Sequence, residues 1–459
     1  MEKADYCYLP VGVIALANLL EEKGMSVCGI NYGMEKSIRQ DFCFEKWLRS
    51  KCGPIVLIDL HWFEHAYAAI EIARMCKIAN PNTHIILGGL TATFFDQEIM
   101  KNFIFIDYII RGESEKPLIS LVEGIIKGRD VRCSNITYRH RETIKRTPVQ
   151  YVASTSDLNK LDFTDIQFLK TWEKYYKTTM TGYDYTDFLN RFWLCVGRGC
   201  PYNCSYCGGS RISHKMLCNR SIPGFRSPRK VADDVLSLAD QGVHQIMVSH
   251  DLSITGKKYW ESVFEEIKQE KVDVGILHGG WQLPSREYIN RLVKAFDPSL
   301  SAVKLSPESG SEKVRRFNFP EKFYSNQALF KCLRYLRKKE LPVVAYFSIN
   351  LPRQTRESFE QTISMCEKIL QSYPNELLSL FCGILVLEPC SPMYLKPRTY
   401  GVIPKLMSFM DYYSYCKNTK KDPGYETKDL PCDELPLMTN TWKHRLEEKI
   451  DKVELAYFY

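Results

Sequence analysis

Three cysteines carry the chemistry that stands out in this chain. Residues 199–209 read G-C-P-Y-N-C-S-Y-C-G-G, which places Cys200, Cys204 and Cys207 in a C-x3-C-x2-C array. The loop is rich in glycine and proline and follows an apolar run at 192–196 that reads as a strand. A loop can turn three thiolates toward one point, whereas a strand sends successive side chains to opposite faces. Three thiolates suit an iron–sulfur cluster, whose irons are held by cysteine sulfur. On a four-iron cubane they leave one iron free for a substrate or cofactor. Two other readings of the same residues stay open. One is a structural zinc with Cys195 or Cys218 as fourth ligand. The other is three small apolar side chains packed in a core.

The elements that must position this loop follow it in a regular order. Ser227-Pro228 gives a capping side chain and a proline at the first helical position. Val231, Val235 and Leu238 then recur at helical spacing. Strands are expected at 245–248 and 272–277, with helices near 260–268 and 286–296. Short strands alternating with helices predict a parallel sheet or barrel whose functional loops lie at the strand C-terminal ends. The cysteine loop, His250-Asp251, Glu308-Ser309 and Asn350 all fall at such ends.

The N-terminal third alternates as well. A helix is expected over 12–23, a strand over 25–32 ending in Gly33, and a buried-type strand over 54–60. An amphipathic helix at 67–79 and strands at 84–87 and 104–110 follow, the last two ending at Gly88-Gly89 and Arg111-Gly112-Glu113. Buried strands ending in glycine turns predict an open doubly wound sheet that binds ligands at its C-terminal edge. Residues 61–65 read H-W-F-E-H, a match to the H-x-x-E-H zinc peptidase pattern. That pattern needs a helix, and here it sits where a strand ends, so a loop-to-helix cap with Trp62 in the core is the plainer reading.

Composition sets the outer bounds. The 459 residues are 45% hydrophobic and 25% charged, ordinary for a globular protein of two to four domains. The longest apolar run, 377–387, is too short for a bilayer span of about 20 residues, and no membrane association is expected. No secretory signal is readable in residues 1–10, so a cytoplasmic location and no disulfide framework are expected despite 17 cysteines. The formal charge of +8 includes a basic run between 313 and 339, read as the solvated face of a helix rather than a nucleic-acid patch. Residues 134–152 read as two short strands around 140–142. Residues 153–190, with four tyrosines from Tyr175 to Tyr185, read as a linker that covers the site. A charged helix is expected near 442–455.

With Tyr206 before its last cysteine, the C-x3-C-x2-C array resembles the radical S-adenosylmethionine (SAM) enzymes. G-V-H-Q-I-M-V-S-H-D at 242–251, L-S-P-E-S-G at 305–310 and S-I-N-L-P-R-Q-T-R-E-S at 348–358 look like that family's later strand ends, with Asn350 and Arg353 standing at usual glycine positions. L-P-V-G at 9–12, L-G-G at 87–89 and D-Y-I-I-R-G-E-S-E at 107–115 resemble the cobalamin-binding domain that precedes many radical SAM domains. The resemblance implies an α/β chain: a Rossmann-like doubly wound domain at 1–132, linker strands at 133–190, a partial (β/α)6 barrel at 191–401 and a small mostly helical region at 402–459.

The same resemblance implies a 4Fe–4S cluster on Cys200, Cys204 and Cys207. It implies SAM near Tyr206, Gly208, Gly209, Asp251, Glu308, Ser309 and Asn350. It implies cobalamin over Pro10, Gly12, Leu60, His61, Trp62, Gly88, Gly89, Leu90, Gly112 and Glu113, with His61-Trp62 beneath the corrin and no histidine on cobalt. The function implied is reductive cleavage of SAM to a 5′-deoxyadenosyl radical and methylation of an unactivated carbon. The expected partners are a small-molecule or peptide substrate and an electron donor such as flavodoxin or ferredoxin. A cobalamin-free radical enzyme and a non-enzymatic cobalamin or cluster sensor are the alternatives.

Overall fold

The computed structural model describes residues 9–129, 133–176, 190–270, 272–418, 422–447 and 453–458. Its N-terminal sheet has five strands in sequential order: β1 (Ile55–Asp59), β2 (His84–Gly88), β3 (Tyr108–Ile110), β4 (Ile136–His140) and β5 (Thr143–Arg146). The first three run parallel, with Ile55 beside His84 and Ile86 beside Tyr108. The last two form an antiparallel hairpin on β3. Alternation along the strands sorts the faces. Ile86, Ile110 and Ile136 pack with Leu20 of helix Val11–Glu22 and with Leu118 and Leu121 of helix Glu115–Ile126. Ile85, Leu87 and Ile109 pack with Ala66, Ala69, Ile70 and Ala73 of helix Ala66–Ala79 and with Ile99 of helix Asp96–Asn102. Helices on both faces make the sheet doubly wound.

The strand expected over 25–32 does not form. Gly29 donates its amide to Phe168 and accepts from Lys170, so the linker takes the hydrogen bonds that a sheet neighbour would need. Gly29 makes an isolated bridge with Leu169, and residues Tyr32–Ile38 are helical. The strand expected over 104–110 is shortened to Tyr108–Ile110, with Ile104 exposed.

The second sheet has seven parallel strands: β6 (Arg191–Leu194), β7 (Gln245–Val248), β8 (Gly275–Gly280), β9 (Ala302–Glu308), β10 (Val343–Ile349), β11 (Leu378–Leu385) and β12 (Val453–Phe458). The first six are a partial (β/α)6 barrel. Its first helix after the cysteine loop, Arg211–Cys218, is capped by Ser210, and the next, Pro228–Asp240, by Ser227. The helix expected near 442–455 is corrected. Helix Leu435–Trp442 continues as a π-helical turn over Lys443–Glu447, and 453–458, expected within the same helix, pairs instead as a seventh strand on β11. All eight residues of β11 are buried, so its outer edge needs a covering partner, and V-E-L-A-Y-F has the β-branched and aromatic content to supply one. Helix Phe409–Lys417 packs its Phe409 and Tyr412 on the N-terminal sheet's helices rather than on the barrel. Tyr183 and Tyr185, expected to cover the site, lie outside the described residues.

Two contacts fix the crevice of the first sheet against the mouth of the second. Arg220, just past helix Arg211–Cys218, donates through Nε to Glu113 Oε1 and through Nη2 to Glu113 Oε2 at 2.8 Å. Arg198 reaches Glu115. Beside them Gly112, at φ +70°, lies so close to helix Arg211–Cys218 that a Cβ would stand 3.1 Å from the Cys218 Cα. Glycine is the residue that allows both that backbone angle and that approach.

Candidate active site

The cysteine loop runs from β6 to the Ser210 cap and is held by its backbone. Ser205 N–H donates to Asn318 O at 3.0 Å and Met393 N–H to Ser205 O at 2.9 Å, while Arg211 N–H donates to Tyr202 O at 2.8 Å. Burial pushes all three thiols up, and each is raised further by a neighbouring cysteine or acid. For Cys207 those neighbours are Glu388, Cys204 and Cys200. The three cysteines therefore lie within electrostatic reach of one another. Among the described residues no three Cys, His, Asp or Glu side chains close on a single ion. Thiols within reach of one another that do not converge on one ion suit a cluster of several irons, which draws them into the thiolate form that burial opposes.

At the barrel mouth, Glu308 ends β9 at φ +63°, where the register with β10 shifts. Its Oε1 accepts from Tyr206 Oη at 3.0 Å and its Oε2 accepts from Ser348 Oγ. Asn350 and Arg353 sit at φ +74° and +66°, so the backbone keeps the left-handed geometry of glycine at both positions. Asn350 is fully buried, and its amide Oδ1 and Nδ2 have no partner in the structure. Its backbone is fixed by Gln354 Oε1 and by the Tyr425 hydroxyl. A buried, unpartnered amide at a strand end is a group held ready for a ligand.

Other residues from the sequence reading are occupied. Asp251 takes four donors: Ser253 N and Oγ on Oδ1, and Trp281 N and Gln282 N on Oδ2. It braces the ends of β7 and β8. Ser309 faces Thr362 of helix Arg356–Ser372 at 3.3 Å. Gly208 donates its amide to Glu388, and a Cβ there would stand 2.7 Å from Pro389 O. A Cβ on Gly209 would lie 3.7 Å from Cys207 Sγ, an ordinary contact.

Across the cleft, β1 and β2 end side by side. Leu60 is buried and donates its amide to Gly88 O at 2.8 Å. Gly89 sits at φ +107°, and a Cβ there would stand 2.5 Å from His61 N. Gly88 and Gly12 have nothing within 4 Å of the Cβ position, so both present bare backbone to open space. Trp62 is 51% exposed and meets His61 edge-on at 4.8 Å. Burial pushes His61 down to about 4, with His214, His65 and Arg198 adding to the shift. An exposed indole beside bare glycine backbone fits a large flat ligand. Leu90 packs with Leu217 and Cys390. Pro10 caps helix Val11–Glu22. Glu113 does not face open space: it is spent on Arg220 and on the amide of Ala153.

Three residues of the cleft escaped the sequence reading, and a fourth, Glu64, enters it only as part of the H-W-F-E-H run. Glu388 lies three residues past β11 beside Gly208, and burial pushes its carboxyl up to about 7. Glu64, raised to about 8, is pushed up by burial first and by Glu388 after it. Lys322, in the short turn after helix Glu312–Asn318, interacts electrostatically with Cys204 and Glu308. His214 follows the cysteine loop and falls to about 4 through burial, with His250 adding to it. The strand-end rule applied to 377–387 points to Glu388, whereas Lys322 is hidden in the basic run around it.

The family comparisons agree with this division. The model of the Radical SAM superfamily matches residues 194–366, and that of the B12 binding domain matches residues 1–122. The chain belongs to the cobalamin-binding radical SAM family. Its cofactors are a 4Fe–4S cluster, SAM and cobalamin. An uncharacterised methyltransferase of Pyrococcus horikoshii is 25% identical over 66% of this chain and 62% of its own length. An anaerobic magnesium-protoporphyrin IX monomethyl ester cyclase of Rubrivivax gelatinosus is 27% identical over 65% of this chain and 51% of its own. The chain thus spans roughly half to three-fifths of these relatives. The fold matches that of the radical SAM methyltransferase TsrM from Kitasatospora setae, with TM-score 0.71, 15% identity, and 98% and 89% of the two chains covered. It also matches the cobalamin-dependent SAM radical enzyme OxsB, with TM-score 0.66 and 14% identity over 95% of this chain and 64% of that one. No described helix is long and apolar enough to cross a membrane.

Proposed function

We propose that this member of the family is a cobalamin-dependent methyltransferase that acts on an unactivated carbon of a small molecule or peptide. One observation carries the reading. The helix that follows the cysteine loop is pinned against the glycine turn at the end of β3 by the Arg220–Glu113 pair and the Gly112–Cys218 contact. When bound, the cofactors supply a carbon-based radical and a methyl group. The chain supplies position and dryness. Cys200, Cys204 and Cys207 would hold the cluster. Tyr206, Ser348 and Glu308 form one hydrogen-bonded unit at the SAM side, and the unpartnered Asn350 amide is the nearest free donor and acceptor of that rim. Trp62 would offer the corrin a flat apolar surface that keeps water off, with no histidine of the chain on the metal, and burial keeps His61 neutral so that it adds no charge there.

A likeness to the hopanoid C-3 methylase of Methylococcus capsulatus, 22% identical over 78% of this chain and 64% of its own, supports methyl transfer to carbon. The cyclase relatives favour a second reading, radical chemistry without methyl transfer. A one-electron donor of the flavodoxin or ferredoxin class would reduce the cluster in either case. The test is anaerobic reconstitution with iron, sulfide and cobalt quantified, followed by incubation with methyl-labelled SAM. Protein that cleaves SAM and takes up cobalt supports the methyltransferase. Full iron with no cobalt leaves the cobalamin-free enzyme as the better account. Electron paramagnetic resonance of the Co(II) form should lack nitrogen splitting. Splitting that disappears in His61→Ala would overturn the no-histidine part.

A further inference from the structure

The short turn Pro320–Lys322, which follows the helix Glu312–Asn318 after β9, is bolted to the cysteine loop more tightly than chain connectivity requires. Asn203 donates its backbone amide to Glu321 Oε2 at 2.7 Å and its side-chain amide to Glu321 Oε1 at 3.2 Å. Arg211 closes on the same carboxylate at 2.8 Å. Two residues on, Ser205 is joined to Asn318 through its backbone at 3.0 Å and also through its hydroxyl. Both ends of the turn are thus tied to the residues flanking Cys204, and Lys322 ends the turn next to the clamped Glu321.

Its ammonium lies 4.8 Å from the centre of the Phe319 ring, which meets the Tyr206 ring edge-on at 5.8 Å and packs with Cys204. Lys322 lines one pocket with Ser306, Pro307, Phe319 and Tyr324 beside the end of β9, and it interacts electrostatically with Cys204, Glu308, Tyr324 and Cys207. Glu321 also interacts with Cys204, but Asn203 and Arg211 occupy that carboxylate. Glu308 is occupied by Tyr206 and Ser348. Arg315, of the helix before the turn, is turned to Asn326 and over the Tyr324 ring.

Resting on the cluster assignment above, we propose that Lys322 is a positioning residue that sets the reduction potential of the cluster on Cys200, Cys204 and Cys207 and makes it easier to reduce. The step it acts on is the transfer of one electron from a flavodoxin- or ferredoxin-class donor to the cluster, with no proton moved and no bond broken. Reduction adds one negative charge, and a fixed cation in a partly dry site stabilises it. Charge and hydrogen bonds at the sulfurs are the protein's levers on such potentials. The apolar Phe319 ring beneath the ammonium limits the water that would screen it.

The experiment is a redox titration of the reconstituted holoprotein before SAM is added, read by the resonance signal of the reduced cluster, on wild type, Lys322→Met and Lys322→Arg. At the wild-type midpoint, Lys322→Met should show a reduced-to-oxidised ratio about tenfold lower, which is about 59 mV for one electron. Lys322→Arg should titrate close to wild type. Iron and sulfide counts are taken on the same samples. Loss of iron from wild type sinks the cluster assignment rather than this proposal. Full iron with an unchanged midpoint in Lys322→Met overturns the proposal, as does an equal shift in Lys322→Arg. Weakened SAM affinity with an unmoved midpoint also overturns it, and assigns Lys322 to SAM instead.

Discussion

The two sides of the cleft are built by opposite means. At the barrel mouth, side chains do the holding: Tyr206 and Ser348 on Glu308, Gln354 on the Asn350 backbone, Glu388 on Gly208. Glu308, Asn350 and Arg353 hold left-handed backbone there, at a cost of order 1 kcal/mol each that the surrounding bonds must offset. In the crevice of the first sheet, backbone does the holding: Leu60 on Gly88 O, and Thr91 and Ala92 on the carbonyls of His61 and Leu60. Its exposed features are bare glycine and one indole. A site that grips a small charged cofactor needs directed polar groups, whereas one that seats a large flat cofactor needs absence of side chain. The difference teaches where each half is fragile. The mouth fails when a polar partner is lost, and the crevice fails when a Cβ is gained.

The largest expected effect separates the halves completely. Replacing Cys200, Cys204 and Cys207 together by alanine should remove all cluster absorbance and all SAM cleavage while cobalamin uptake stays at the wild-type level. Iron retained in full by the triple variant would contradict the assignment of the loop. Cobalamin lost along with iron would mean that the crevice is not independent of the mouth.

The contact between the halves comes next. Arg220→Met leaves Glu113 buried and without its bidentate partner, a loss of about 3–5 kcal/mol for a buried pair broken on one side. Arg198 stands 3.7 Å from Glu113 and recovers part of it. A lower midpoint in thermal or denaturant unfolding is expected, and a double variant with Glu113→Leu should regain much of the difference. A single variant as stable as wild type would show that the halves are held by packing alone.

Gly89→Ala tests the crevice by itself. The substitution puts a Cβ 2.5 Å from His61 N on a residue at φ +107°, so the end of β1 must shift. A cost of about 1–3 kcal/mol is expected, with cobalamin affinity reduced at least tenfold and iron content unchanged. Equal affinity in the variant would mean that the cofactor does not rest on this turn.

How far these features were legible in the sequence follows from the same contrast. The barrel half reads directly because its signals are local: three cysteines on one loop, Ser227-Pro228 opening a helix, strand ends at Glu308 and Asn350. The crevice reads in part, since Gly88-Gly89 and Gly112 mark turns by type. What is lost depends on long-range competition. The 25–32 segment has the composition of a strand, but Phe168 and Lys170, far along the chain, claim its backbone. The last strand, Val453–Phe458, follows charged helical sequence, and only the open edge of β11 decides its state. Glu113 looks like a strand-end ligand residue until Arg220 is seen opposite it.

The smallest expected effect is a difference between crevice and mouth in the pH dependence of stability. Burial raises Asp59 to about 7 and Glu64 to about 8 on the crevice side, and Glu388 to about 7 at the mouth. A raised acid binds its proton more tightly folded than unfolded, so its contribution is complete below the unfolded pKa and disappears as pH rises through the folded one. His61 and His214 fall to about 4, and their contribution is complete above about 6.5 and disappears as pH falls toward 4. Between about pH 4.5 and 6.5 the two histidines offset two of the three acids, leaving a decline of about 1.4 kcal/mol per pH unit. Above it the acids act alone. Unfolding free energy should therefore decline between pH 6.5 and 8.5, with Glu64 alone contributing about 2 kcal/mol of the fall. Glu64 has the highest folded pKa of the three, so most of that decline belongs to the crevice, and Glu64→Gln should flatten the curve more than Glu388→Gln does. Equal flattening by the two variants would show one shared proton between Glu64 and Glu388 across the cleft. An unaltered slope in Glu64→Gln would show that Glu64 is already ionised at neutral pH and that the crevice is wetter than its packing implies.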